Sequence, residues 1–334
     1  MNSNKTAILL MNVGSPDAPT NPAVRKFLAE FLNDKRVIDL PWLLRKILVN
    51  GIIIPFRVKK STQLYKRLWT KKGSPLIYIS EELKENLQQK LGASYQVFLG
   101  MRYQNPNFKK ALSEIKKAGF KTLVVLPLFP QHALSTTETS FVAVEEELKK
   151  QNIDIECIKI GQFYKNPGFV HAFARQAKKY NPESFDHILF SYHGLPNRQD
   201  AKSKPDNQPD YTYSKACFET TVLIAKQLKL SKPDYSTGFQ SRLSKNWLTP
   251  FSDEIIMKKL KEGKKRVLVL APAFVTDCLE TIVEIEYEYA GRFLEQGGEK
   301  LQLVSSLNAE ESWVNTLAEM IETSLEVKQK FETN

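Results

Sequence analysis

DHILFSYHGLP, residues 186–196, is a short apolar run that stops at His-Gly-Leu-Pro. Runs of this length, rich in aliphatic and aromatic side chains and bounded by Gly and Pro, read as strands entering a turn. TAILLMNVGSP, residues 6–16, repeats the plan: a strand, then Gly-x-Pro, with Val13 in the place of His193. A second pair follows in the same order, GFKTLVVLPLFPQHALSTTET (119–139) and GKKRVLVLAPAFVTDCLET (263–281). Two matched pairs predict two similar α/β domains, residues 1–161 and 162–308, facing each other across a cleft. The last segment, 309–334, carries a helical pattern over 310–327 and is expected to pack back on the first domain.

The intervening sequence supports that class. Strand candidates are 7–11, 95–99, 122–126, 155–160, 187–191, 234–238, 267–270 and 301–304, and amphipathic helical patterns include 79–91, 106–118, 141–151, 167–179, 213–228 and 253–261. Such alternation predicts mainly parallel sheets flanked by helices, with ligands at the carboxyl ends of the strands.

One helix is unusual. APAFVTDCLETIVEIEYEYAGRF, residues 271–293, spaces Glu280, Glu284 and Glu288 four apart. On an ideal helix they form a stripe drifting by about 40° per step, and each like-charge pair costs about 0.2–0.5 kcal/mol. The apolar side of that wheel is Leu279, Ile282, Val283, Tyr287 and Ala290, with Glu286 misplaced in its middle. A single π-bulge between Glu280 and Glu286 would turn Glu286 away and straighten the acidic row. The plainer alternative is a capping box between Asp277 and Glu280 followed by a solvated acidic face.

His193 follows its strand directly, where Gly194 is expected to supply an unusual backbone angle and Pro196 to stiffen the exit. A histidine there is either a hydrogen-bonded structural residue or a general acid/base or metal ligand. His171 and His187 lie inside periodic segments, and His132 lies in the first-half counterpart of the acidic stretch.

Composition narrows the partners. The chain has 334 residues, 42% hydrophobic and 25% charged, as an ordinary globule of two domains would. Its formal charge of +11 favours an anionic partner: nucleic acid, a membrane surface or an acidic small molecule. Finger spacings and RNA-recognition signatures are missing, so nucleic acid is the least supported. Cys157, Cys217 and Cys278 are scattered without metal-ligand spacing, which suits a reducing compartment. The run 7–13 reads as a first strand and not a signal peptide, and no apolar stretch is long enough to span a bilayer. PWLLRKILVNGIIIPFRVKK, residues 41–60, is apolar, carries Arg45, Lys46, Arg57, Lys59 and Lys60, and is interrupted by Gly51 and Pro55. It is either a core helix with basic ends or an apolar lip on an anionic membrane surface.

Taken together, the motifs resemble those of the ferrochelatases, which insert ferrous iron into a porphyrin. The likeness runs from about residue 8 to 308 through LLMNVGSP (9–16), the segment 65–75 ending in GSP, LGMRYQNP (99–106), LPLFPQHALSTTETS (126–140), SYHGLP (191–196), GFQSRLSKNWLTP (238–250) and FVTDCLETIVEIEYEY (274–289). Any one of these is weak, but seven in order are specific.

The resemblance implies a chelatase-type fold of two Rossmann-like domains with a porphyrin cleft. His193 and Glu280 match the family's catalytic and metal-handling pair, and Glu284 and Glu288 the acidic row that relays protons or cations. Val13, Tyr65, Ser74, Arg102, Tyr103, Phe129, Trp247 and Phe274 match porphyrin-binding positions, and Arg57 a basic position near the propionates. Val13 stands where some members have Met, and Cys278 where many have His, so no second-histidine role is expected there. No Cys follows residue 308, so no iron-sulfur cluster is expected; Fe²⁺ enters as substrate and no cofactor is bound permanently.

The implied reaction converts protoporphyrin IX to haem with release of two protons. Alternatives are coproporphyrin as substrate, a cobalt or nickel chelatase, and a non-catalytic tetrapyrrole or metal carrier. The expected compartment is the cytoplasm, with the lip as a peripheral contact on the cytoplasmic face of the membrane.

Overall fold

The computed structural model describes residues 5–205, 208 and 210–332 and divides into two units. One unit comprises Met1–Leu128, Leu134–Gly161 and Ala309–Asn334, and the other Phe129–Ala133 and Gln162–Asn308. The first contains β1 (Thr6–Asn12), α1 (Asn21–Leu32), α2 (Trp42–Lys46), a π-helical segment (Ile47–Ile53), α3 (Ile54–Leu68), α4 (Pro75–Leu91) and β2 (Tyr95–Met101). It continues through α5 (Phe108–Ala118), β3 (Thr122–Pro127), a short π-helical segment (Leu134–Glu138), α6 (Thr139–Lys150) and β4 (Glu156–Lys159). The second holds α7 (Pro167–Lys178), β5 (His187–His193), α8 (Asn197–Asp200), α9 (Tyr213–Gln227), β6 (Tyr235–Gln240), α10 (Ser252–Lys261) and β7 (Arg266–Leu270). A long π-helical segment (Leu279–Tyr289), α11 (Ala290–Glu295) and β8 (Lys300–Leu303) complete it. Helix α12 (Glu311–Glu332) belongs to the first unit and packs on α4.

Each unit carries a four-stranded parallel sheet, ordered β2-β1-β3-β4 in one and β6-β5-β7-β8 in the other. All eight strands fall where the apolar runs place them. The registers also agree. Ala7 faces Leu123 as His187 faces Val267, and Met11 faces Gly100 as Ser191 faces Gly238. The alignment of 6–16 with 186–196 is therefore also the alignment of the two sheets. Gly100 and Gly238 are needed for close approach: an added Cβ would lie 2.6 Å from Phe108 in one and 2.8 Å from Ser252 in the other. Those two residues open α5 and α10, which cross their sheets at this point.

Central strands buried on both faces read as continuous apolar runs. In the first unit Leu9, Val125, Leu112, Ile115 and Val144 join β1 and β3 to α5 and α6. In the second, Leu189, Val269, Ile256, Ile285 and Phe293 join β5 and β7 to α10, the long π-helical segment and α11. Burial of each such side chain contributes roughly 1.5–3 kcal/mol. Helix α5 is capped by Asn107, whose Oδ1 accepts from the Lys109 amide at 2.8 Å, and ends at Gly119 with φ 73°.

Two differences from expectation concern the N-terminal helices. Helix α1, which buries Val24, Phe27, Leu28 and Leu32, is absent from the helices expected above. The apolar stretch 41–60 is not interrupted: helical structure runs from Trp42 to Leu68, with Gly51 inside the π-helical segment and Pro55 in the first turn of α3. A π turn bonds i to i+5, so a proline at its junction with an α-helix removes a donor where the bonding period is already changing. Val49, Ile54 and Val58 face inward, whereas Trp42, Leu43, Leu44, Ile47, Ile52 and Phe56 are exposed, Phe56 by 82%. Arg45 is not a surface charge of this lip. It is buried, and its Nη1 donates to the Leu40 carbonyl at 2.7 Å. Among the described residues no helix is long and apolar enough to cross a membrane.

His187 opens β5 and is 1% exposed. Its Nε2 meets Ser236 Oγ at 2.9 Å while Nδ1 has no hydrogen-bond partner. Burial, with the Lys259 charge adding to it, pushes its pKa down to about 4. As pH falls from about 6.5 towards 4, the unfolded chain takes up a proton that the folded chain refuses, so stability is complete above that window and lost across it. The loss should total roughly 3 kcal/mol. Urea melts of the protein and of His187→Gln at pH 7 and pH 4.5 are expected to show a smaller pH-dependent loss in the variant. Equal losses would mean His187 is protonated in the fold.

Candidate active site

In a parallel sheet every strand ends at the same edge, and β5 delivers His193 there opposite Gln240 of β6. His193 is half-buried, and its Nδ1 lies 2.7 Å from the Gly194 carbonyl oxygen. A carbonyl can only accept, so Nδ1 donates and Nε2 is the ring nitrogen left to meet a ligand. The rings of Trp247 and Phe274 lie 6.4 Å from the imidazole, both tilted, and Tyr213 OH donates to the His193 carbonyl at 2.9 Å. This gives an oriented base beside two aromatic faces.

Gly194 serves closeness, not an unusual backbone angle, since it is absent from the residues with positive φ. Its amide donates to the Gln240 carbonyl at 2.8 Å, and an added Cβ would meet that oxygen at 2.8 Å and Trp247 at 3.3 Å. The counterpart Gly14 does have φ 107°, and there a Cβ would meet the Tyr103 carbonyl.

The acidic helix departs further from expectation. Instead of a single bulge, the π-helical geometry is continuous over Leu279–Tyr289. Glu286 is turned outward as a π-bulge would have it, and Val283 and Ala290 are buried as on the ideal wheel, but Ile285 and Tyr289 are buried and Tyr287 exposed against it. The cap is not Asp277 with Glu280 but Cys278 with Thr281, each side chain receiving the other's backbone N–H. Asp277 instead accepts from the Ser306 amide at 3.1 Å and from Asn308 Nδ2 at 2.8 Å, which ties the loop after β8 to the helix start.

Glu280, Glu284 and Glu288 are half-buried on this segment. The Glu284 carboxylate accepts from Gln240 Nε2 (3.1 Å), the Ser241 amide (2.7 Å), Ser241 Oγ (2.5 Å) and Tyr289 OH (2.9 Å). Burial and the Glu284 charge raise the Tyr289 phenol, keeping it a donor. Ser241 has φ 63°, sparsely populated by non-glycine residues, and this turns its amide and hydroxyl onto one carboxylate. These four donors hold the Glu284 carboxylate in place at the end of β6. Among the described residues no three His, Cys, Asp or Glu side chains are gathered to cage a metal ion.

In the first unit, Val13 directly follows β1 and its carbonyl accepts from the Tyr103 amide at 3.0 Å. Arg102 is not a free surface cation: Nη2 pairs with Asp34 Oδ2 at 2.6 Å and Nε donates to Thr139 Oγ1 at 3.0 Å. Asp34 also accepts from Tyr103 OH (3.0 Å), Thr139 Oγ1 (2.6 Å) and the Arg36 amide (2.8 Å). Burial alone would raise its carboxyl, but these bonds and the Arg102 charge together hold it below the usual value. Tyr103 and Tyr65 are buried, Tyr65 edge-on to Phe27, and Ser74 is buried before α4. Arg57 is exposed on α3. Phe129, half-buried, belongs to the second unit and precedes Pro130, whose carbonyl accepts from the Phe163 and Tyr164 amides of that same unit.

The structure thus gathers His193, Trp247 and Phe274 in one place, and Glu280 with Glu284 beside Gln240. Sequence reasoning missed Asp34, Thr139, Gln240 and Ser241. The last two lie in the quoted segment 238–250, but Asp34 sits in FLNDKR with no periodic or motif signal.

The ferrochelatase family model matches residues 5–325. Ferrochelatases of Coxiella burnetii (strain Dugway 5J108-111) and Legionella pneumophila (strain Lens) are each 40% identical to this chain, over 98% and 95% of it and 96% and 98% of their own lengths. Among solved structures, SirB from Bacillus subtilis with Fe³⁺ aligns with 96% of this chain and 95% of its own at TM-score 0.57 and 12% identity, a likeness of fold.

Breaking a buried ion pair by removing one partner strands the other charge, typically at roughly 3–5 kcal/mol. With Arg102 still 21% exposed, Asp34→Ala is expected to cost about 2–3 kcal/mol in denaturant melts, more than Arg102→Met. Equal, small losses would show that the pair behaves as an exposed one.

Proposed function

This chain belongs to the ferrochelatase family and is a metal chelatase, and from that premise we propose how its residues carry the reaction, Fe²⁺ with protoporphyrin IX giving haem and two protons. The observation that carries the proposal is His193, fixed by its Nδ1–H···O=C bond so that Nε2 is the ring nitrogen left to meet a ligand, between the rings of Trp247 and Phe274.

A free porphyrin is nearly planar, with pyrrole protons pointing inward and lone pairs confined to the ring plane. Metal enters when the ring is bent and the protons leave. Trp247 and Phe274 are the faces proposed to hold the bent ring, with contacts remote from the nitrogens offsetting the strain. His193 takes a pyrrole proton, and His193 with Glu280 replaces water on Fe²⁺, for which imidazole and carboxylate are suitable ligands. Glu284 and Glu288 supply negative potential along the helix, favouring cation approach and proton departure. From the first unit, exposed Arg57 is the cation proposed for a propionate. Val13, Ser74, Arg102 and Phe129 are proposed to contact the macrocycle, while buried Tyr65 and Tyr103 support that surface from beneath.

Iron is substrate here. The reading needs no resident metal or cluster, in keeping with Cys217 and Cys278 buried and Cys157 partly so. The preference for protoporphyrin over coproporphyrin rests on the exposed apolar row from Trp42 to Phe56, near Lys46, Arg57, Lys59 and Lys60. A lipid-soluble porphyrin is met at a membrane, and such a row with basic neighbours suits peripheral contact with the anionic, cytoplasmic face.

For chemistry, His193→Ala is expected to retain porphyrin binding and lose turnover. Glu280→Gln should lose roughly 10²-fold, the scale of a positioned acid/base. Porphyrin fluorescence titration with anaerobic iron-insertion assays checks both, and near-normal turnover in either removes that residue from the mechanism. For the lip, serine at Trp42, Leu43, Leu44 and Phe56 together should release the protein from vesicles containing phosphatidylglycerol while leaving the melting temperature within a few degrees. Unchanged vesicle binding would exclude the contact.

A further inference from the structure

Gln240 is the last residue of β6 and 1% exposed. Its backbone lies opposite His193 in the sheet, and its carbonyl accepts the Gly194 amide at 2.8 Å. Its side chain reaches the other way. Oε1 accepts from Ser191 Oγ at 2.7 Å, while Nε2 donates to the Glu280 carbonyl at 2.8 Å and to Glu284 Oε2 at 3.1 Å. Two acceptors on one side and a hydroxyl on the other leave one chemically sensible orientation of the amide. Ser191 Oγ is anchored in turn by Ser252 Oγ at 2.7 Å. One side chain thus spans from the strand that carries His193 to the first turn of the helix that carries Glu280 and Glu284.

The other unit shows what this position does without that chemistry. Register places Arg102 where Gln240 stands, and Thr139 opens α6, which follows β3 as the long π-helical segment follows β7. Arg102 Nε donates to Thr139 Oγ1 at 3.0 Å. A strand-to-helix tie at this point therefore belongs to the architecture of both units. Only in the second does it end on a carboxylate carried by that helix, Glu284, and on the backbone carbonyl of Glu280.

We propose that Gln240 is a positioning residue for metal insertion: its amide fixes where Glu280 and Glu284 stand relative to His193, and so governs use of the cation without touching the porphyrin. The proposal rests on the roles given above to His193 and Glu280. Residues that orient metal-handling groups from behind typically cost 10- to 100-fold in metal affinity or activity when changed, whereas a tie that only supports packing lowers stability and leaves the kinetic constants alone.

The test uses the full-length protein, Fe²⁺ under anaerobic conditions and protoporphyrin IX in detergent, with each substrate varied in turn. Gln240→Met keeps the length and loses three hydrogen bonds, while Gln240→Glu keeps the acceptor for Ser191 and turns an acceptor towards Glu280 and Glu284. In both, kcat/KM for iron is expected to fall about 10- to 100-fold, further in the Glu variant, with porphyrin Kd within about twofold of the parent. Gln240→Asn, shorter by a methylene and still amphiphilic, covers the event that Met or Glu fails to fold, and is expected to fall between parent and Met in kcat/KM for iron. A melting temperature lowered in all three with iron constants unchanged would overturn the proposal. So would equal losses for iron and porphyrin. Glu280→Gln run alongside separates the two levels: full activity there sinks the underlying site assignment and this inference with it, whereas inactivity there beside normal iron kinetics at Gln240 sinks the positioning role alone.

Discussion

The hydrogen bond from the Gly194 amide to the Gln240 carbonyl, where β5 and β6 leave their sheet side by side, is the constraint on which the site depends. It holds the turn after His193 against the end of β6, and only a residue without a side chain fits, because a Cβ on Gly194 would meet that same oxygen. With the turn fixed, the Gly194 carbonyl can receive His193 Nδ1, and the Gln240 side chain can reach the helix behind. One local contact therefore lies between the His193 ring and the start of the acidic helix.

The two sheets show one backbone plan carrying two chemistries. Val13 and His193, and Arg102 and Gln240, occupy like positions. In the first unit the polar group at the strand ends is neutralised by a buried carboxylate, Asp34, which binds Arg102, Tyr103 and Thr139 together. In the second the carboxylate, Glu284, is supplied by the helix itself and accepts from neutral donors of Gln240, Ser241 and Tyr289.

Two of the three π-helical segments among the described residues decide which side chains reach the surface. In the segment Leu279–Tyr289 the π geometry puts Ile285 and Tyr289 in the core while Glu286 and Tyr287 face outward. In the segment Ile47–Ile53 it carries the chain through Gly51 and on to Pro55, so that Trp42 and Phe56 end up exposed on one continuous helical stretch. The bonding period, and not the composition, decides which side chains are buried.

The sequence by itself determined the class of fold, because burying a parallel sheet on both faces demands continuous apolar runs, and those runs, doubled along the chain, mark both sheets. It also determined His193 and the acidic residues as candidates, since a polar residue at the end of such a run has to face the ligand-binding edge. Tertiary structure alone decided the rest. Asp34 and Gln240 lie outside any periodic pattern and acquire meaning only from partners distant in sequence, Arg102 and Thr139 for one, Glu280 and Glu284 for the other. The use of Gly194 for closeness, the burial of Arg45 and the inward face of the acidic helix were equally out of reach. Each depends on atoms brought within about 3 Å by packing, and helical periodicity read from sequence assumes the 3.6-residue turn that these segments abandon.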